Sequence, residues 1–74
     1  MAYNYSKLNG RIVEVFETQA NFAEAMGVSE HSISKKLNNK SKFRQFEIDK
    51  ACELLSIPHE EIGLYFFNRN VHVS

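Results

Sequence analysis

Between His31 and Phe46 the chain carries Lys35, Lys36, Lys40, Lys42 and Arg44 with no acidic residue among them. Ammonium and guanidinium groups gathered in this way suit a polyanion, because each can neutralise a phosphate and release its condensed counterion. The flanking sequence has the opposite character. Glu14, Glu17, Glu24 and Glu30 follow Arg11 without a base between them, and Glu47, Asp49, Glu53, Glu60 and Glu61 face only Lys50. The formal net charge is zero, yet this uneven distribution offers one basic face. A solvated basic loop is the other reading that composition allows.

Several side chains here have the donors or acceptors to read a base edge. Lys35 can donate to guanine O6 and N7, and its alternative is an exposed lysine on a solvated helix. Glu30 can accept from cytosine N4, or serve a helix dipole from a first turn. His31 suits a phosphate, a base edge or plain surface, and Ser32 bonds either kind of base-edge group with little discrimination. Catalytic patterns are missing. No Ser-His-Asp set, glycine-rich phosphate loop or clustered carboxylate pair occurs, and His31, His59, His72 and Cys52 lack metal-ligand spacing. Neither an enzyme, nor a cofactor, nor a metal, nor a small-molecule ligand is expected.

Those candidates must be held by short helices. Leu8, Ile12, Val15 and Phe16 recur at helical spacing and predict a first amphipathic helix over about 6–17. Thr18 suits the N-cap of a second helix carrying Phe22, Ala23 and Met26, with Gly27 as its left-handed stop. Ser29 suits the cap of a third, anchored by Ile33 and Leu37. Asn38 to Ser41 reads as a polar turn. Ile48, Ala51, Cys52 and Leu55 share one face of a fourth helix over about 45–55, where Cys52 reads as a small buried hydrophobe. Pro58 suits the start of a fifth helix, with Glu60 and Glu61 in its first turn. The tail 68–74 contains Val71-His72-Val73, an alternating stretch that allows a short strand. A 74-residue chain of this kind reads as one all-α domain over 1–74, near the lower size limit for a core without staples. Its single cysteine excludes an intramolecular disulfide. No apolar run approaches the roughly 20 residues of a membrane span, and MAYNYSKLNG lacks a signal-peptide core. A cytoplasmic protein with no membrane partner is the expectation.

Residues 19–38 meet several constraints at once. Two helices crossing steeply need a small residue at the contact (Ala23), a residue tolerating positive φ at the turn (Gly27), an apolar plug (Val28) and an inward anchor (Ile33). TQANFAEAMGVSEHSISKKLNNK resembles the central signature of the lambda-repressor-like (Cro/cI-type) helix-turn-helix family. With YSKLNGRIVEVF before it and ELLSIPHEEIGLYFF after it, the chain is similar to small Cro-like proteins of phages of Gram-positive bacteria. The resemblance implies a compact five-helix DNA-binding domain. It also implies that Gln19 bonds a phosphate, that Glu30, His31, Ser32 and Lys35 face base edges, and that Asn38 and Lys40 hold the backbone beyond. Ser29 and Lys36 complete the expected DNA-facing set. Two positions depart from the family pattern. Lys36 stands where an apolar residue is usual, so Ile33 and Leu37 are expected to anchor the third helix and leave Lys36 at its edge. Asn39 replaces the usual glycine after that helix.

The function implied is sequence-specific binding of duplex DNA as a Cro-type phage repressor on a pseudo-palindromic operator. A weak homodimer would assemble through Tyr65 to Val73, placing two third helices one DNA turn apart. The alternative is a protein-interaction module, an antirepressor or antitoxin-like adaptor on the same fold. The basic run favours DNA. Near-zero net charge and Glu30 favour the alternative.

Overall fold

Leu8, Ile12 and Phe16 follow one another at i+4 spacing, and this stripe turns the first helix, α1 (Ser6–Phe16), toward the core. The computed structural model describes residues 2–69. Val15, expected on the same stripe, is exposed instead. The inward side of α1 is set by the next helix, whose Phe22 ring meets Phe16 at 5.5 Å, and this favours the i+4 row over the i+3 row. The expected helices follow as α2 (Gln19–Met26), α3 (Glu30–Leu37), α4 (Gln45–Leu55) and α5 (Ile62–Phe66), the last entered through a 3-10 turn at His59–Glu61. The fold is all-α. Phe22, Phe66, Leu8, Ile12, Ile33 and Leu55 are its largest fully buried side chains, so every helix contributes to one core.

Helices of eight residues leave most of their backbone groups at an end, and here each end is closed. The hydroxyls of Thr18 and Ser29 accept from Asn21 N–H and Ser32 N–H at 3.0 and 3.1 Å. After α2, Gly27 takes φ 79°, Val28 N–H reaches the Ala23 carbonyl at 3.0 Å, and Gly27 N–H that of Glu24 at 3.1 Å. Asn39 repeats this closure after α3 at φ 62°, with Lys40 N–H donating to the Lys35 carbonyl at 2.8 Å. Ser56 repeats it after α4 at φ 55°. Two long cations serve other helices' carbonyls. Lys50 donates to Met26 at 3.3 Å, and Arg11 Nε donates to Leu55 at 2.8 Å.

The chain ends are zipped together. Tyr3 and Arg69 form an isolated antiparallel bridge, beside which Asn4 N–H donates to the Asn68 carbonyl at 2.6 Å. This is the only extended pairing among the described residues; the expected strand at Val71-His72-Val73 lies outside them. Asn39 clamps the same segment from the other side, its Oδ1 accepting from Tyr3 N–H and its Nδ2 donating to the Tyr3 carbonyl, both at 2.9 Å. A glycine would supply the left-handed backbone but neither bond. That accounts for asparagine at this turn.

Two stability predictions follow from these turns. A Cβ on Gly27 would meet only Lys50 Nζ, at 4.0 Å, so any cost of substitution is backbone strain alone. Gly27→Ala should cost about 1–2 kcal/mol, and Gly27→Val about 1–3 kcal/mol; an unchanged melting midpoint for valine would contradict a left-handed residue here. Asn39→Gly removes two hydrogen bonds worth about 0.5–1.5 kcal/mol each while relieving its own strain. It should lower stability slightly and speed hydrogen exchange at Tyr3 N–H selectively.

Candidate functional site

The third helix presents its residues in an order that differs from the sequence expectation at one decisive position. Ile33 is buried as expected, but so is Lys36, which is only 8% exposed, while Leu37 is half-buried. Lys36 Nζ lies 3.7 Å from Glu47 Oε2 and 3.5 Å from Ser32 Oγ, to which it donates. Glu47 is itself buried on the first turn of α4, and its Oε1 accepts the Arg44 N–H at 2.8 Å. That carboxylate closes half a capping box; the Arg44 side chain has no acceptor, so Glu47 N–H bonds the Arg44 carbonyl instead. Lys36 is therefore not at the edge of α3 and cannot face DNA. Glu47, on the first turn of α4, faces Lys36, and both side chains are buried where they meet. A charge in such a place needs a hydrogen-bonded partner. Glu47 is that partner, and no feature of the local sequence pattern singled it out.

The remaining expected residues fall into groups. Glu30, His31, Lys35 and Lys40 are exposed, the first three on α3 and the last in the turn beyond it. Ser29 is occupied as the cap of α3, and half-buried Ser32 is bonded both to that cap and to Lys36. Gln19 donates to Asn9 Oδ1 at 3.1 Å, and Asn38 Nδ2 folds back to the Ser34 carbonyl at 2.8 Å. Gln19, Asn9 and Asn38 line an open polar cleft of about 350 Å³ where α1, α2 and the end of α3 meet. With Lys36 engaged, the exposed part of α3 carries one acid, Glu30, and one base, Lys35. A face of that balance offers little net attraction to phosphates.

Two buried titratable groups lie outside this face. Burial first, and then the charge of Asp49, push the Cys52 thiol up, so it stays protonated and unreactive at neutral pH. Burial and the neighbouring Tyr3 likewise raise the Tyr5 phenol. Among the described residues no three His, Cys, Asp or Glu side chains come together as a metal-binding group. No helix among them is long and apolar enough to cross a membrane.

A family model described as "Protein of unknown function (DUF739)" matches residues 1–69, and the chain belongs to that family. No curated protein matches the chain. Among solved structures it is similar to the solution structure of the modulator of repression (MOR) of the temperate bacteriophage TP901-1 from Lactococcus lactis. The two are 49% identical over 97% of each chain, with a TM-score of 0.80.

These findings overturn the assignment to the Cro/cI-type family and the operator-binding repressor it implied. The small residue, glycine turn, plug and anchor of residues 19–38 are demands of a steep helix crossing, and they hold whatever the crossing serves. Operator DNA as the partner goes with that reading. Of the expected dimer segment, Tyr65 is half-buried with Lys7 Nζ 5.0 Å from its ring centre, Phe66 is core, and residues 70–73 lie outside the described part.

The Lys36–Glu47 pair makes a prediction about stability. Lys36→Met leaves Glu47 buried without its cation and should cost about 3 kcal/mol. Adding Glu47→Gln, which keeps an acceptor for Arg44 N–H, should restore stability to within about 1 kcal/mol of the parent. Urea denaturation decides this. Equal stabilities for the single and double variants would mean that the two groups are not coupled.

Proposed function

We propose that this chain is a protein-interaction module that binds a repressor and modulates its action in the host cytoplasm, working by binding and not by catalysis. The observation that carries this reading is the 49% identity, over 97% of both chains, to a protein named as a modulator of repression. At such identity and coverage, with a TM-score of 0.80, the two chains share the whole fold.

The charge of the third helix supports the same reading. Affinity for duplex DNA rests on neutralising phosphates, and a basic stretch that loses Lys36 to the interior, with Glu30 exposed just ahead of it, is weakened for that task. A face mixing Glu30, His31 and Lys35, beside the amides of Gln19 and Asn38 and the ammonium of Lys40, suits a protein surface, where complementary charges set register and exclude wrong partners. These groups are the proposed contact residues.

The test uses the chain and the repressor from the genome that encodes it. Calorimetry should give saturable binding of the two proteins, and the chain should change the repressor's retention of labelled operator. The chain alone should enrich no sequence from a pool of random duplexes. A symmetric motif enriched by the chain alone would overturn the proposal, as would the absence of any complex with the repressor.

A further inference from the structure

Beneath the N-terminal segment lies an aromatic hollow of about 110 Å³, walled by Tyr3, Tyr5, Phe43, Ile48, Phe66 and Phe67. Its rings meet edge to face: Tyr5 and Phe43 at 5.5 Å, Phe43 and Phe66 at 5.2 Å, Tyr3 and Phe67 at 5.8 Å. Phe67 is 49% exposed, and the exposed Lys42 completes the lining, so the hollow opens to the surface. Close-packed interiors leave few voids larger than a water molecule, and an apolar void forfeits the contacts of its walls. This hollow is open to water, and an apolar group seated in it would remove its aromatic walls from solvent.

Size and charge narrow the choice. Pockets for free small molecules run to about 300–1,000 Å³, well above this one. A closed apolar cavity of about 150 Å³ takes up a single benzene; this hollow is smaller but open on one side, so it suits one apolar side chain of about leucine size. Walls that are mostly carbon leave the polar edge of a nucleobase without partners. The charges at its walls are cationic. Lys42, in the lining, is exposed and makes no ion pair among the described residues, and the Arg69 guanidinium lies 5.4 Å from the ring centre of Tyr3, another wall residue. The segment that delivers the side chain must tolerate these cations, and carboxylates do so best.

We infer that the aromatic hollow receives one apolar side chain, flanked by carboxylates, from the repressor that the chain binds. The inference rests on the protein-interaction reading above and adds to it an anchor pocket away from α3. Deeply seated anchors of this kind carry a large share of binding energy in protein interfaces.

The test compares the full chain with three variants. Ile48→Phe fills the hollow from its buried wall, Lys42→Glu reverses charge on an exposed side chain, and Lys42→Arg preserves it. Calorimetric titration with the repressor should show binding weakened about tenfold or more by Ile48→Phe and by Lys42→Glu, and nearly unchanged by Lys42→Arg. Benzene should shift the Phe43 and Phe66 ring resonances of the parent saturably and weaken its hold on the repressor. If Ile48→Phe fails to fold, Lys42→Glu and benzene competition decide. A parent that binds the repressor, with folded variants and benzene leaving that binding unchanged, overturns the anchor pocket and leaves the protein-interaction reading standing. A parent that binds no repressor overturns both. Binding of a single-stranded oligothymidylate that is lost in Ile48→Phe and Lys42→Glu would reassign the hollow to nucleic acid.

Discussion

Helices of eight residues are too short to persist in water by themselves, because the cost of nucleating each is spread over so few hydrogen bonds. Both α2 and α3 have this length, and α5 is shorter still. The whole molecule depends on closing their ends from outside. Left-handed residues do so after α2, α3 and α4, hydroxyl caps do so before α2 and α3, and cations from α1 and α4 reach carbonyls of other helices. The two cation closures also tie one element to another. Arg11 fastens α1 to the end of α4, and Lys50 fastens α4 to the end of α2, so capping and tertiary structure are here one set of bonds.

The buried ion pair belongs to the same economy. Glu47 holds the first turn of α4 through Arg44 N–H, and its other oxygen receives Lys36 from α3. An apolar residue in place of Lys36 would pack well but would leave that carboxylate buried without a cation. The pair therefore couples the orientation of α3 to the start of α4. It also removes one positive charge from the surface that a DNA-binding reading would need. One bond thus bears on both the fold and the partner.

A helix-turn-helix is recognisable because steep crossing of two helices is demanding, and the demand is met at fixed offsets by Ala23, Gly27, Val28 and Ile33. Those residues are buried or conformationally special in any protein that makes the crossing. What the crossing is used for depends on the exposed residues between them, where selection on packing is silent. Similarity to a modulator of repression, and membership of DUF739, therefore sit comfortably with a motif that reads at first as a DNA-binding one.

Local pattern was enough for the element order, the caps Thr18 and Ser29, the left-handed Gly27 and the buried face of α4, since each depends on residues within a turn or two of itself. The same pattern placed Glu30, His31 and Lys35 on an exposed helix face. It could not place Lys36, because a lysine beside a core stripe goes outward or inward according to what lies opposite, and Glu47 stands eleven positions further along. Nor could it show that Asn39 clamps Tyr3, a contact between residues 36 positions apart. The aromatic hollow joins Tyr3, Phe43 and Phe67 from three separate parts of the chain. Bonds that close within a few residues are written in the sequence, whereas partners brought together by packing exist only once the helices have docked.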